Sequence, residues 1–305
     1  MLSFILRRLL IIIPMALIVV TLTWGLIRIA PGNFYSGEKK LPAGVEATIR
    51  KKYGLDLPWY TQYGMMMSNI VRGDFGDSLK YQGQSVNEII KRHLPYSMTI
   101  GILAFLLALV VGMTAGTVAA LKQNTAFDYG SMSLAMLGLS VPNFVLGPLL
   151  VLFFGFWLYW FPPARWGGVS AVVLPVCTLA AIYTAYIARL TRAGMLEVMR
   201  SDYIRTARAK GLDEKTVLLR HAIRGGIIPV VSFTGPALAA LLAGTVVVEK
   251  VFAIPGLGNI FIQAVLNRDE PLILGIVAFL SILIMIFNLV VDVAYGFLDP
   301  RIRYE

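Results

Sequence analysis

The sequence predicts an all-α integral membrane protein with six transmembrane helices and both termini cytoplasmic. Three observations carry this. Only 14% of the 305 residues are charged and 57% are apolar, with a mean hydropathy of +0.74, whereas a soluble domain carries about a quarter charged residues. Charge-free windows recur at the length of roughly 20 residues that a helix needs to cross a bilayer. The basic residues gather on one set of the loops between those windows, as the positive-inside rule requires of cytoplasmic loops.

The first window, Leu9 to Ile27, follows Arg7 and Arg8. Arg28 and Pro31 spoil the small-residue pattern of a cleavage site, so it reads as a retained span rather than a signal peptide. The polar segment from Arg28 to Thr99 then lies outside, and it is long enough that its own charges do not vote on orientation. A helix is expected from about Pro58 to Arg72, ended by Gly73. A second begins at the Ser85-x-x-Glu88 capping box ahead of Ile89 and Ile90 and is stopped by Pro95. This segment reads as a small cap on the membrane domain, either a passive loop or a surface that receives a soluble partner or gates the outer mouth.

The second window, Thr99 to Leu121, contains Gly112-x-x-x-Gly116, which lets two helix backbones approach closely. The third, Tyr129 to Ala164, is long for one straight span and short for two spans and a turn. Pro142 and Pro148 can break or kink it, and Trp157, Tyr159, Trp160 and Phe161 suit an outer interface. The fourth window runs from Trp166 to Ala188 and holds Cys177 as a packing residue. The fifth, Gly225 to Val248, is loosened by Gly235, Pro236 and Gly244, which makes them candidate hinge or pathway residues. The sixth runs from Pro271 to Val291 and is followed by Asp292, a candidate structural intramembrane acid.

Charge settles the count. With the third window as one span, Arg189, Arg192, Arg200, Arg205, Arg208, Lys210, Lys215, Arg220 and Arg224 fall on the same side as Arg7, Arg8, Lys122, Arg301 and Arg303. Only Arg165, Lys250 and Arg268 occupy the short loops opposite. Splitting the window would move the basic loop outside, against the rule. The organisation is therefore an N-terminal segment and first span over 1–30, an extracytoplasmic segment over 31–98, and a core over 99–305 with a cytoplasmic loop at 189–225.

Little enzymatic chemistry is available. One cysteine excludes a disulfide framework and a cysteine cluster, and His93 and His221 are the only histidines, so no metal site and no catalytic set is assigned. No G-x-x-x-x-G-K-[ST] loop is present to cradle a nucleotide phosphate, so any energy must come from another chain. The net charge of +10 reports orientation and not nucleic-acid binding. The basic loop is the informative region. Tyr203 to Lys210 favours helix, Gly211 can take the positive φ of a helix end, and an amphipathic stretch from Asp213 to Arg220 follows. Charge alone suits a loop held on anionic lipid; the tight turn with Ala207 and Ala209 suits a protein groove.

At this loop the sequence resembles the membrane-spanning subunits of bacterial ABC importers, in the B-type subunit of the dipeptide and oligopeptide permease branch. The resemblance spans the chain: Ile5 to Arg8 and Arg28 to Gly32; Gly73 to Ser78; Ser140 to Phe144; Thr191 and Arg192; Arg205 to Leu212; His221 and Ala222; Pro255 to Gly258; Asn267 to Asp269; Asp299 to Arg303. The general importer signature has Glu-Ala-Ala, three residues, then Gly. Here Arg205, Thr206 and Ala207 precede Gly211, which leaves that signature's acidic contact without a counterpart; the usual downstream Pro is displaced to Pro229.

The resemblance implies a type I importer permease fold in a multi-pass protein of the bacterial inner membrane. It also implies a C-type permease partner, two cytoplasmic ATPases that bind ATP and Mg, and an extracytoplasmic peptide-binding protein. Arg205, Thr206, Ala207, Arg208, Ala209, Lys210, Gly211 and Leu212 would couple to the ATPase. Other small solutes, such as nickel chelates or glutathione, are alternative cargoes. A passive channel or lipid-bound scaffold is the alternative from another class.

Overall fold

A computed structural model describes residues 2–30, 51, 54 and 56–298. Pro31, Gly32 and the Asp299 to Arg303 segment lie outside the described residues, as do residues 31–50. The described helices are α1 (Leu2–Ile29), α2 (Trp59–Val71), α3 (Val86–Leu121), α4 (Ala126–Ser140), α5 (Asn143–Trp157), α6 (Ser170–Met199), α7 (Asp202–Ala209), α8 (Glu214–Gly226), α9 (Ile228–Val251), α10 (Leu257–Leu266) and α11 (Glu270–Leu298). No strand forms among the described residues beyond one isolated bridge between Asp77 and Ser85.

Helices α1, α3, α6 and α11 are each long and apolar enough to cross a membrane, and the spans number up to six if each of two bent pairs is one span. The first pair is α4 with α5, bent by 108° at Val141 and Pro142, one of the two prolines expected to break the long third window. Pro148 lies inside α5, whose second half widens into π-type turns. The second pair is α8 with α9, bent by 50°.

Pro95 does not act as expected. Helix α3 begins beside the Ser85 hydroxyl, which accepts from the Glu88 amide at 3.2 Å, and runs through Pro95 to Leu121. Pro95 removes only the bond to the carbonyl of Lys91, an exposed residue whose carbonyl water can satisfy. The capping-box helix and the second span are therefore one helix.

The chain divides into two compact units. The first holds Leu2–Pro95 and Gly256–Met285. Its apolar core joins Val86, Ile89 and Ile90 to Leu257, Ile260, Leu272 and Ile276, and a second cluster sets Val20 of α1 against Leu274 and Ala278. Helix α2 ends at Arg72 and Gly73 as predicted, with Gly73 at φ +77°. The turn that follows is pinned by Asp269, which is fully buried. Its carboxylate accepts from the Ser78 hydroxyl and from the amides of Leu79 and Lys80, each at 3.1 Å.

The second unit holds Tyr96–Pro255 and the chain from Ile286 on. Helix α6 is its axis, burying Leu174, Leu179, Ala180 and Ile187 against Ile100, Ala104 and Ala108 of α3 and Val230, Leu241 and Val248 of α9. Gly112 and Gly116 both face α6, at Ile187 and at the Ala188 carbonyl, so the G-x-x-x-G spacing is used within one chain. Trp157, Tyr159 and Trp160 are exposed, as an interfacial aromatic cluster requires.

Candidate functional site

The basic loop folds into a helical hairpin, α7 and α8, whose two arms have buried inner faces and an exposed tip. An eight-residue helix has too few hydrogen bonds to persist alone, so burial must hold it. Ile204 and Ala207, three apart on α7, meet Val217 and Ala222 of α8, Met195 of α6 and Ala120 of α3. Ile204, Met195, Val217 and Ala222 are fully buried. The hairpin is thereby braced on one end of each of two spans, α3 and α6.

The turn follows from backbone requirements. The Gly211 amide donates to the Arg208 carbonyl at 2.9 Å and the Leu212 amide to the Ala207 carbonyl at 3.4 Å, with Gly211 at φ +79°. This is the paired helix-end arrangement that glycine favours. Asp213 then caps α8, accepting from the Thr216 amide at 3.1 Å. Hydrogen bonds from Thr216, first by its side chain and then by its amide, hold the Asp213 carboxyl below its usual range. Arg208 closes the turn with a two-point contact to Glu214, at 2.7 and 3.2 Å.

The sequence-predicted loop residues divide between two faces. Arg205, Thr206, Arg208, Ala209, Lys210, Gly211 and Leu212 are exposed, whereas Ala207 faces inward. Tyr203, Leu212 and Leu219 stand exposed among the cations. Such a surface presents apolar side chains ringed by charge, the composition of a protein interface. It offers no nucleophile with a base; what it can do is carry displacement, because α8 leads through Ile227 into α9 and α7 follows directly on α6.

The other candidates lie elsewhere. Gly235, Pro236 and Gly244 are all within the continuous helix α9. A side chain at Gly235 would stand 3.2 Å from Val291 of α11, so this glycine lies where the two helices meet. Asp292, the next residue on α11, is half-buried.

Three buried acids had no role assigned from the sequence. Asp269 is described above. Glu249, fully buried on α9, accepts from the Ser97 hydroxyl at 2.6 Å. Asp128, on the first turn of α4, is gripped by Arg192 of α6. The only local signal was that Asp128 and Glu249 each closed a charge-free window.

Comparison with known proteins bears on this geometry. A family model described as "binding-protein-dependent transport system inner membrane component" matches residues 108–304. The chain is 44% identical over 306 residues to the oligopeptide transport system permease protein OppB of Haemophilus influenzae, covering 100% of both, and equally so to OppB of Escherichia coli. It is 42% identical to the dipeptide transport system permease protein DppB of Bacillus subtilis over 94% of this chain and 93% of that protein. Among solved structures, the MetNI methionine ABC transporter in an inward-facing conformation is similar at a TM-score of 0.56 and 16% identity, over 69% of this chain and 96% of that one. An amino acid ABC transporter with histidines is similar at 0.50 and 18%, over 71% and 95%. At such identities the two structures speak to fold alone.

Proposed function

The chain belongs to the family of binding-protein-dependent transport system inner membrane components, alongside the oligopeptide permeases it matches end to end, and from that premise we propose that it forms half of the pathway of an ATP-driven peptide importer. The observation that carries this reading is the hairpin: an exposed tip from Arg205 to Leu212 on a buried brace formed with Met195 and Ala120. A loop that only held lipid would need its cations and not a rigid turn. The tip docks into a cytoplasmic ATPase, and movement of the docked hairpin reaches α6 and α9 along the chain.

The remaining partners are a C-type permease, a second ATPase and an extracytoplasmic peptide-binding protein, with ATP and Mg held by the ATPases. The peptide cargo follows from the relatives' names, and a mostly apolar set of spans suits passage of varied side chains without a tight site. The test is purification of the chain with its neighbours in mild detergent, followed by ATPase assays. A second permease and two ATPases should co-purify, and peptide-loaded binding protein should raise hydrolysis. Stimulation by another solute alone would replace the cargo; a chain that purifies alone where such assemblies survive would replace the mechanism.

The topology is testable separately. In a Cys177→Ser background, Lys215→Cys and Lys80→Cys, both exposed positions, are expected to react with an impermeant thiol reagent from opposite sides of the membrane. Reaction from the same side would overturn the cytoplasmic hairpin.

A further inference from the structure

We propose that Asp128 and Arg192 form a positioning clamp that makes the broken span α4 and α5 travel with α6 when the hairpin moves; this rests on the importer reading. The grip has two points, Arg192 Nε to Asp128 Oδ1 and Nη2 to Oδ2, each at 2.7 Å. The Asn124 amide adds a third bond to Oδ2 at 3.0 Å. Asp128 is 1% exposed and Arg192 27%, so the pair is largely shielded, where a planar guanidinium and carboxylate hold both distance and angle.

The position of the pair gives it this role. Asp128 is the only buried residue of α4; Phe127, Tyr129, Leu134, Met136 and Leu137 are all exposed. Apolar side chains facing lipid exert little force between helices, because lipid tails are as apolar as they are. Helix α4 packs closely along α6, with Gly138 against the Ala181 carbonyl, and the clamp adds a directional, charged contact to that packing. Arg192 lies one turn from Met195, the α6 residue that Ile204, Ala207 and Val217 of the hairpin cluster meet. Displacement of the hairpin thus reaches Arg192 within a continuous helix and Asp128 through the ion pair.

Beyond the break at Pro142, α5 supports the outer end of α9, with Gly147 against Val251 and Phe252. Helix α9 meets α8 at a bend of 50°. The clamp supplies a second route from the hairpin to the same helix, through α6, α4, the break at Pro142 and α5.

The experiment uses the complete complex in proteoliposomes, scoring peptide imported per ATP hydrolysed. The wild type comes first: a complex without peptide-stimulated hydrolysis or uptake would remove the importer reading before the clamp is tested. Asp128→Asn and Arg192→Gln are expected to hydrolyse ATP while the import ratio falls about fivefold or more, the scale of a coupling free energy. Asp128→Arg with Arg192→Asp should recover much of it. Arg192→Lys, which keeps the charge without the fork, should assemble and give an intermediate ratio. Unchanged ratios in the assembled variants would overturn the clamp. So would loss of assembly in the neutral variants together with a normal ratio in Arg192→Lys, since the pair would then be a structural staple only.

Discussion

Gly211→Pro is expected to insert and assemble normally while uptake falls on the order of a hundredfold, the equivalent of about 3 kcal/mol. Proline fixes φ near −65°, against +79° at Gly211. It also removes the amide that donates to the Arg208 carbonyl. The strain of about 1–3 kcal/mol for a displaced backbone conformation and about 1 kcal/mol per lost hydrogen bond are enough to open the turn. Once it opens, the Arg208 to Glu214 contact is lost and α8 no longer brings Val217 and Ala222 onto Ile204 and Ala207. Hydrolysis should then stop responding to peptide-loaded binding protein. Gly211→Asn, which accepts the left-handed conformation, should stay within about twofold of wild type. Normal uptake by Gly211→Pro would remove the hairpin from the coupling path.

What was legible in the sequence was whatever local chemistry decides. A glycine between two amphipathic stretches, a proline within an overlong apolar window and a hydroxyl three residues before a glutamate each act on their own backbone. Gly211, Pro142 and Ser85 accordingly appear in the turn, the break and the helix start that were expected. Pro95 misled because its effect depends on surroundings: one missing amide does not end a helix when the orphaned carbonyl belongs to an exposed residue that water can reach. The acids were illegible for a related reason. Asp128 meets Arg192 across 64 residues and Asp269 meets Ser78 across 191, and no spacing rule connects side chains that only the folded helices bring together. Ala207 shows the limit within the hairpin itself. Its small size fits a tight approach, but the surface it approaches is the chain's own α8 and α6, and not a partner.

Gly116→Leu is expected to impair assembly itself, which separates folding from coupling. A Cβ at Gly116 would press on the Ala188 carbonyl and stand 2.7 Å from Thr191 Cβ and 3.0 Å from the Arg192 amide. Two of these obstacles are backbone and cannot rotate away. Overpacking in a well-fitted core costs about 1–3 kcal/mol, and a backbone obstacle places the substitution at the upper end. In lipid, α3 and α6 have no hydrophobic force to hold them together once their close approach is lost. Separating them also withdraws Ala120 from the hairpin brace and shifts α6 at Arg192, which grips Asp128. The yield of intact complex should fall at least several-fold, as losses of this size do to abundance. Gly130→Leu is the control, because nothing lies within 4 Å of that Cβ position on α4, and its yield should match wild type. Recovery of Gly116→Leu complex at wild-type yield and thermal midpoint would mean that the helices tolerate separation, and the G-x-x-x-G contact would lose its structural role.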